Sequence, residues 1–577
     1  MKNKTNNYIV LRKEGEYFIP LCGTQEVGCN ANIARVTHSG KTEQIIIDAG
    51  LGMLKDQGGI NHCIPDYSCV DPKITKGIVI THGHLDHFGS LTYLLRHLRS
   101  PDIPVYATPF TMHIIKKQLL DNHITANLIT VEMNSAFKIG EFFEIQLISV
   151  THSVPETQMI TISYKPSGIN LLHTADYKID RDPVIGQHTN EALLKQIGDS
   201  GVHCLVSDST NANQIDWSMT EGSAQVGLRE LIQTLTGKRI IVSCFSSNIA
   251  RINSLLQIGK SVGRKVLFIG KSMHRMCEAA RAINYIQPEL EEYVVTPDNM
   301  VADDKLLIVC TGSQAEQGSV LDKLASCGSY NPVQLNPNNK IKTAIIFSAR
   351  IIPGRTLAIE ELKAKLIKRG AETYDTFEHK SIHVSGHPSQ PEIKFICDLA
   401  RPKYAIPVHG TQLLIQHAKK VFKTLNIPCI VPHNGCVIRL SKDNAEIISD
   451  VHVRAMGLDG KKLKPIDMHS SCIQSRREIG QEGVISICYE EGKLLSIHSL
   501  GCLPPQITQS EMFIGLMRNI VRSSKNSAMI INKIRQTVLM KYGKQPGVIL
   551  HNRDIPTIKE VEIDETTDET NERNNDD

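Results

Sequence analysis

The stretch VITHGHLDHFGS, Val79–Ser90, concentrates side chains that bind metal ions. Three histidines and one aspartate fall within six residues, at His82, His84, Asp86 and His87. An apolar run precedes them, and apolar residues follow them at helical spacing, at Phe88, Leu91, Leu94, Leu95 and Leu98. The cluster is therefore predicted to lie on a loop between a buried strand and a helix, and such a loop can present ligands to two metal ions.

The same alternation of strand-like and helix-like segments continues along most of the chain. Short apolar runs end in polar turns, as in QIIIDAG (residues 44–50) and GIVITHG (residues 77–83). Similar runs are CLVSDST, RIIVSCF, KVLFIG, LLIVCTGS, TAIIFSA and YAIPVHG, and helical patterns lie between many of them. This alternation predicts an α/β fold with largely covered sheets.

Length and cysteine usage indicate a multidomain protein of a reducing compartment. At 577 residues the chain exceeds one ordinary core, so about two to four domains are expected. No apolar run approaches the ~18 residues of a membrane span, and the segment MKNKTNNYIVLRKEGEYF lacks the apolar core of a secretory signal. Fifteen cysteines are scattered without a CxxC pair, which favours reduced thiols in a cytoplasm over disulfides.

Charge is unevenly distributed along the chain. Nine acidic and two basic residues in Lys559–Asp577 give this segment −7, so the rest of the chain carries +11 within the net charge of +4. A basic body suits a polyanionic partner, while ordinary solvated lysines explain the charge equally well. The end of the chain is acidic and polar and lacks core residues, so residues 554–577 are predicted to be a disordered tail.

Three further candidate ligands directly follow apolar runs. His152 stands in SVTHSVP, Asp176 in LLHTADYK and His409 in IPVHGT. Taken singly, each has a prior of roughly one in five of binding a metal ion. Their order after the first motif, a histidine, then an aspartate and then a distant histidine, favours one joint ligand set.

With these motifs the chain resembles the metallo-β-lactamase-fold hydrolases and, within them, the β-CASP nucleases and bacterial ribonuclease J. The matching segments include GTQEVGCN, IIIDAGL, ITHGHLDHFG, THSVPE, HTADYKID, LVSDSTNA, CFSSNIAR, FSARIIPG, HVSGHPSQ and PKYAIPVHG, and the match runs from about Tyr17 to Leu440. The resemblance implies an αββα metallo-β-lactamase sandwich, an inserted β-CASP α/β domain and a small α+β C-terminal domain.

Boundaries for these parts can be predicted. The metallo-β-lactamase domain is expected at residues 1–210 and 376–455, with the β-CASP domain at residues 211–375 between its two parts. A linker at residues 456–465 precedes the C-terminal domain at residues 466–553. In that domain GVISICYEEGKLLSIHS is typical of a hairpin, helices are expected at about residues 510–522 and 527–542, and GVILHN is typical of a closing strand.

The resemblance also implies the metal ligands. A first zinc ion would be held by His82, His84 and His152, a second by Asp86, His87 and His409, and Asp176 would bridge them. Asp48 is expected to brace the metal loop as a hydrogen-bond acceptor. Zinc suits histidine nitrogen and carboxylate oxygen, and manganese stays open because no thiolate fixes the choice. Such a pair lowers the pKa of a water to about 7 and neutralises charge on a phosphodiester.

Catalytic and substrate-binding residues follow from the same resemblance. The catalytic residues would be Asp86, Asp208 and His387, with His387 as general acid or phosphate clamp and Asp208 orienting it or a metal ligand. A plainer role for Asp208 is to cap Ser209 and Thr210 at a strand end. The donors for a 5′-monophosphate would be Ser247, Asn248, Ile249, His383, Val384, Ser385, Gly386 and His387. For Ser246–Asn248 alone, an ordinary turn is the simpler interpretation.

The chain is therefore predicted to be a metal-dependent ribonuclease with 5′-to-3′ exonuclease and endonuclease activity in RNA maturation and decay. Its expected substrate is single-stranded RNA with a 5′-monophosphate. We expect it in the cytoplasm, away from membranes, as a homodimer or homotetramer. Two alternatives stay open. A DNA-processing β-CASP nuclease is disfavoured by His409, and a catalytically idle RNA-binding partner is disfavoured by the full set of ligands.

Overall fold

The computed structural model describes residues 13–57, 59–338, 340–352, 354–460 and 465–553. The described residues of Met1–Lys55 and His62–Leu458 form one unit, and those of Asp56–Asn61 and Asp459–Asp577 form a second. The predicted tail and residues 461–464 of the predicted linker lie outside the described residues. Within the described residues, no helix combines the length and the apolar character that crossing a membrane requires.

Twenty-five strands precede the C-terminal elements in the described part of the chain. They are β1 (Gly15–Cys22), β2 (Ala31–His38), β3 (Lys41–Ile47), β4 (Gly52–Gln57), β5 (Ile60–Pro65), β6 (Thr75–Val79), β7 (Pro104–Ala107), β8 (Asn127–Thr130), β9 (Ala136–Ile139), β10 (Phe143–Ser149), β11 (Gln158–Tyr164), β12 (Ile169–His173), β13 (Cys204–Asp208), β14 (Arg239–Ser243), β15 (Lys265–Ile269), β16 (Val294–Val295), β17 (Leu306–Cys310), β18 (Ser329–Tyr330), β19 (Val333–Gln334), β20 (Thr343–Phe347), β21 (Ala371–Tyr374), β22 (Tyr404–Val408), β23 (Cys436–Ser441), β24 (Asn444–Asp450) and β25 (Ala455–Gly457).

Twelve α-helices alternate with these strands in the described residues. They are α1 (Leu85–Phe88), α2 (Leu91–Leu98), α3 (Pro109–Asp121), α4 (Glu191–Ser200), α5 (Glu221–Thr234), α6 (Ile249–Ser261), α7 (Lys271–Ala282), α8 (Pro288–Glu291), α9 (Val320–Cys327), α10 (Thr356–Lys368), α11 (Gln390–Ala400) and α12 (Gln412–Thr424).

Two mixed sheets form the sandwich that carries the predicted ligands. The first has the strand order β24-β23-β1-β2-β3-β6-β7-β8, and the second has the order β22-β13-β12-β11-β10-β9. Ile45 and Ile47 of β3 face the core between the sheets, while Ile46 packs on the opposite face against α2 and α3. A strand buried on both faces reads as a continuous apolar run, which explains the sequence of β3.

The orientation of the strands places the predicted ligands at one edge of the second sheet. Strands β12, β13 and β22 are parallel, and β10 runs in the same direction because two antiparallel pairings separate it from β12. Their carboxyl ends therefore meet at the same edge of the sheet, and His152, Asp176 and His409 follow β10, β12 and β22 there.

A third, fully parallel sheet lies within the long insertion. Its strand order is β16-β15-β17-β14-β20-β21. Ile240 and Val242 of β14 pack against α5 and α6, and Ile241 packs on the other face against α9 and α10. The predicted α/β class, with a sandwich and an inserted α/β domain, is thereby confirmed.

The second unit has its own small core. Its elements are β26 (Ile466–Asp467), α13 (Ser471–Glu482), β27 (Val484–Glu490), β28 (Lys493–Leu500), α14 (Pro505–Thr508), α15 (Glu511–Ser523), α16 (Ser527–Tyr542) and β29 (Gly547–Asn552). Strands β28, β27 and β29 form one sheet, and apolar residues of α15 and α16 pack on it. The predicted hairpin, the two helices and the closing strand are confirmed, but α13 was not predicted. Of its residues only Ile473 is buried, so its apolar pattern is too weak to identify.

Candidate metal centre

All seven predicted ligands converge at the edge of the sandwich. His82 and His84 follow β6, and Asp86 and His87 lie on the single turn of α1. The seven residues form two groups, and within each group the ligand atoms lie within 4.8 Å of one another. The first group is His82, His84, His152 and Asp176. The second group is Asp86, His87, Asp176 and His409. Asp176 belongs to both groups, which is the arrangement that the sequence predicted. The roles of these residues as ligands stay a prediction.

The chemistry of the first group fits a bound cation. Nδ1 of His84 lies 3.1 Å from Nε2 of His82 and 3.1 Å from Nε2 of His152. Nδ1 of His152 donates to the carbonyl oxygen of Gly386 at 2.7 Å, so its Nε2 carries a lone pair. All three ring nitrogens can direct a lone pair at one cation when the other nitrogen of each ring carries the proton. Zinc accepts such a set of nitrogen ligands.

Burial favours the neutral imidazoles that metal binding needs in this group. It lowers the pKa of His82 well below its usual value, the pKa of His84 to about 4 and the pKa of His152 to about 3. At neutral pH these three side chains therefore keep their lone pairs without releasing a proton on metal binding.

The second group has more negative charge around its histidines. Nε2 of His87 lies 3.2 Å from Asp176, and Nε2 of His409 lies 3.2 Å from Asp86. Burial opposes the charged imidazoles, but the attraction of Asp176 and its neighbours outweighs it. The pKa of His87 is raised well above its usual value and the pKa of His409 to about 10. A metal ion at this group competes with protons, so its affinity falls as the pH falls.

Hydrogen bonds behind the ligands fix which ring nitrogen faces the centre. Oδ2 of Asp48 accepts from Nδ1 of His87 at 2.7 Å, and Oδ1 accepts from the backbone N–H of Thr81 at 2.8 Å, which agrees with the expected bracing role. The hydroxyl of Thr210 lies 2.7 Å from Nδ1 of His409. Sequence patterns gave no signal for the role of Thr210, because only the fold brings it to His409.

The predicted catalytic pair lies beside the ligand cluster. Nδ1 of His387 lies 2.8 Å from Oδ2 of Asp208, and the His387 ring stacks on the His409 ring with centroids 5.4 Å apart. Oδ1 of Asp208 accepts from the backbone N–H of Thr210 at 2.9 Å. The geometry is thus compatible with both roles considered from the sequence, since one oxygen caps Thr210 at the strand end and the other lies at His387, while the catalytic role stays a prediction.

The predicted phosphate donors differ in how much hydrogen-bonding capacity they retain. Oδ1 of Asn248 caps α6 by accepting from the backbone N–H of Arg251, and the backbone N–H of Ile249 donates to Ser247. The side chain of Ile249 belongs to the core of the insertion. The Ser247 hydroxyl and the Asn248 amide N–H groups are thus among the donors that this turn offers, and their role in phosphate binding stays a prediction.

The segment His383–His387 contributes to the centre in a way that the sequence did not predict. The Gly386 carbonyl holds His152, and the hydroxyl of Ser385 accepts from Nδ2 of Asn211 at 2.8 Å. The side chain of Val384 is buried, and its segment lines a cleft together with His152. The carbonyl of Gly386 is thus a positioning group for a predicted ligand, and the predicted role of Gly386 as a substrate donor stays a prediction.

Replacing Gly386 with alanine is expected to reduce metal affinity, and with it the RNA hydrolysis predicted from the sequence, by about ten- to a hundredfold. A Cβ atom at this position would lie 2.8 Å from two ring atoms of His152, so the ring must move away from the other ligands. Metal content and RNA hydrolysis at a saturating concentration of the metal measure the effect. Gly515→Ala on α15 is the matched control, because a Cβ atom there meets open space. Normal metal content in G386A would contradict the positioning role of Gly386.

Comparisons with known proteins identify the domains of the chain. Three family models match the chain: a beta-lactamase superfamily domain at residues 43–218, a ribonuclease J beta-CASP domain at residues 237–366 and a Zn-dependent metallo-hydrolase RNA specificity domain at residues 378–432. A crystal structure of an Enterococcus faecalis protein of unknown function covers 74% of this chain and all of its own, with a TM-score of 0.50 and 14% identity, which supports the fold alone.

Curated relatives cover most of the chain. Ribonuclease J of Helicobacter pylori strain J99 is 30% identical over 569 residues, which are 92% of this chain and 78% of the relative. Ribonuclease J of Sinorhizobium meliloti is 30% identical over 84% of this chain and 85% of its own length. Ribonuclease J of Synechocystis is 29% identical over 84% and 74% of the two chains. The chain, with its metallo-β-lactamase fold, β-CASP insertion and His/Asp metal-binding cluster, belongs to the ribonuclease J family.

Proposed function

We propose that the chain is a zinc-dependent ribonuclease that removes nucleotides from the 5′-monophosphate end of single-stranded RNA and also cuts RNA internally. The observation that carries this proposal is the convergence of seven ligands around Asp176, with His387 beside them. Two zinc ions held by these residues would supply an activated water and would neutralise charge on the phosphodiester. Manganese is the alternative metal, since all the ligands are nitrogen or carboxylate oxygen.

The residues of the chain position the RNA and move a proton. Asp208 holds His387 through Nδ1, so Nε2 remains for the leaving oxygen. Burial disfavours the charged ring, but Asp208 and Asp176 outweigh it and raise the pKa of His387. His387 therefore suits the role of general acid at neutral pH.

His383 supports recognition of a terminal phosphate. Its Nδ1 is buried and has no hydrogen-bond partner among the described residues. Burial, and next the cations Arg251, Lys178 and Arg350, lower its pKa well below the usual value. Lys178 lines the cleft together with Ser385 and Gly386. A buried polar atom without a partner, surrounded by cations, is expected where an anionic ligand binds.

The proposal also covers the domain boundaries, the compartment, the oligomeric state and the alternative functions. Domain boundaries at residues 210, 375 and 455 are consistent with the sheets of the sandwich and the insertion. All fifteen cysteines are free, which supports a cytoplasmic location. We propose a homodimer or homotetramer. A DNA-processing nuclease or an idle RNA-binding paralogue is not favoured, because the ligand set is complete and the relatives are named ribonuclease J.

Digestion of one RNA sequence in three forms tests the proposed function. The 5′-monophosphate form should yield mononucleotides from its 5′ end, the 5′-triphosphate form should be degraded much more slowly, and the circular form should be cut only internally. His383→Ala should slow the exonuclease reaction by about ten- to a hundredfold, because it removes a hydrogen bond to a charged group. Time courses resolved by mass give both activities.

The control for His383→Ala is His433→Ala, which removes an exposed histidine in the same unit. The control should digest all three forms at the rates of the unmodified chain. Equal digestion of the monophosphate, triphosphate and circular forms by the unmodified chain would remove recognition of the 5′ end from the proposal. Only the endonuclease activity would then remain.

A further inference from the structure

Two of the three cations around His383 are already neutralised. Arg251 donates from Nε to Glu221 at 2.7 Å and from Nη2 to the same carboxylate at 3.1 Å. Lys178 lies 2.9 Å from Oδ2 of Asp180 and donates to the carbonyl oxygen of Met219 at 2.8 Å. Each forms a buried ion pair, so neither adds net charge to the pocket.

Arg350 differs from these two cations. Its Nη1 donates to Oδ1 of Asn211, which is a neutral amide oxygen. No carboxylate among the described residues forms an ion pair with it within 4.0 Å. Part of the residue is open to solvent, while the surrounding protein lowers the pKa of Arg350 by burial. Its guanidinium group therefore provides a net positive charge that a ligand can reach.

The same asparagine connects Arg350 to the predicted phosphate donors. Nδ2 of Asn211 donates to Oγ of Ser385 at 2.8 Å and to the carbonyl oxygen of His387 at 3.0 Å. These two bonds orient the amide so that its oxygen faces Arg350. The guanidinium group thus lies one hydrogen-bonded residue away from Ser385 and from the segment that carries His383.

The loop that carries Arg350 is fixed from behind. Nε2 of Gln314 donates to the carbonyl oxygen of Arg350 at 2.8 Å, and Oε1 of Gln314 accepts from the backbone N–H of Ile352 at 2.9 Å. Gln314 itself is buried. Because Gln314 fixes the backbone at Arg350 and at Ile352, the guanidinium group stays near Asn211. This order lowers the entropic cost of binding a ligand.

We infer that Arg350 binds the 5′-terminal phosphate of the RNA and sets the preference for a phosphorylated 5′ end. The guanidinium group offers two parallel N–H donors to phosphate oxygens, and Ser385 is bonded to the same asparagine as Arg350. A terminal monophosphate carries more charge than an internal phosphodiester, so it gains most from a cation without an acidic partner. The inference rests on the proposed function and adds the residue that supplies the charge.

Rates on matched RNA substrates test the inference. One sequence is prepared with a 5′-monophosphate, with a 5′-hydroxyl and as a circle, and kcat/KM is measured for the unmodified chain, Arg350→Gln and Arg350→Lys. R350Q should lose about ten- to a hundredfold in kcat/KM on the monophosphate RNA and much less on the other two. The kcat/KM of R350K on the monophosphate RNA should lie between the values for the unmodified chain and R350Q, because lysine keeps the charge but not the paired donors.

A mononucleotide provides a second measurement that does not depend on the rest of the RNA. Adenosine 5′-monophosphate should inhibit digestion of the circular RNA by the unmodified chain, and R350Q should need about tenfold more of it. Arg229→Gln is the matched control, since it removes the same charge from the exposed face of α5. R229Q should keep the preference for 5′-monophosphate RNA, and adenosine 5′-monophosphate should inhibit it as strongly as it inhibits the unmodified chain.

The outcomes separate this inference from the function on which it rests. If the unmodified chain prefers the monophosphate and R350Q keeps that preference, the role of Arg350 is wrong and the proposed function stands. If R350Q loses activity equally on all three RNAs, Arg350 contacts the RNA backbone or supports the fold, which also overturns the inference. A chain without any preference for the monophosphate would overturn both.

Discussion

Replacing Asp176 with alanine is expected to reduce RNA hydrolysis by about 10⁴-fold, which corresponds to about 5 kcal/mol of transition-state stabilisation. Asp176 is the member that the two ligand groups share, and its carboxylate lies 3.2 Å from Nε2 of His87 and 3.6 Å from Nδ1 of His409. Its loss removes negative charge from both groups at once. His84→Ala should have a similar effect, because two histidine nitrogens lie 3.1 Å from Nδ1 of His84.

Metal content and RNA binding show whether D176A loses activity through the metal centre or through weaker binding of the RNA. The unmodified chain should carry about two equivalents of zinc or manganese, and D176A should carry fewer. Binding of a 5′-phosphorylated oligonucleotide should largely survive, since the residues proposed to hold the phosphate belong to neither ligand group. Asp199→Ala removes an exposed carboxylate on α4 and should leave metal content and turnover unchanged. Near-normal turnover in D176A would contradict the assignment of Asp176 as a metal ligand.

The ligands could be predicted because most of them directly follow an apolar strand and the others lie on the short helix α1 after the first motif's strand. The first motif has four ligand-type residues within six positions, and the order of His152, Asp176 and His409 resembles a known family. The local structure of these segments follows from short-range rules, since strands that end in polar turns present their last side chains at the sheet edge. For the same reason, the helices and strands of the C-terminal unit agree closely with the segments predicted for them.

Groups that hold the ligands could not be predicted in the same way. Thr210 reaches His409 across 199 positions of sequence, and Gly386 reaches His152 across 234 positions. Neither residue has a chemistry that identifies it as a partner of histidine, because hydroxyls and backbone carbonyls occur throughout the chain. Only the pairing of β13 with β22 brings Thr210 and His409 to adjacent strand ends. Contacts of this kind depend on strand order, which the periodicity of one segment does not contain.

The arginine at position 350 illustrates a different limit. The segment FSARIIPG matched the family pattern as a whole, so its arginine had no separate prediction. The role inferred for Arg350 depends on which neighbouring cations have acidic partners in the folded chain. Arg251 and Lys178 have carboxylate partners, whereas the donor of Arg350 meets an amide oxygen. Net charge, summed over the chain, conceals this local difference.

Replacing His387 with alanine is expected to lower kcat by about 10²- to 10⁴-fold while the metal content stays unchanged. His387 belongs to neither of the two predicted ligand sets, and its Nδ1 is held by Asp208 at 2.8 Å. It does lie in a third group with Asp176, Asp208 and His409 whose ligand atoms fall within 4.8 Å of one another. Loss of one metal equivalent in H387A would therefore identify His387 as a ligand and contradict its role as an acid.

Asp208→Asn separates positioning from proton transfer. The asparagine oxygen can still accept from Nδ1 of His387, but it lacks the charge that stabilises the protonated ring. The pKa of His387 should therefore fall in D208N, so that the fraction of protonated His387 at neutral pH decreases. Activity that depends on this proton should then decline at a lower pH in D208N than in the unmodified chain, and the pH dependence of kcat measures the shift.

A substrate with sulfur in place of the leaving oxygen gives the sharpest test of the acid. A thiolate leaves without a proton far more readily than an alkoxide, so the reaction no longer needs a general acid. H387A and D208N should then approach the rate of the unmodified chain to within about tenfold, because neither residue belongs to the two predicted ligand sets. D176A should not be rescued, since its defect lies in the charge of the metal centre rather than in proton transfer. If the sulfur substrate leaves H387A as slow as before, His387 acts on the phosphate itself, as a clamp rather than as an acid.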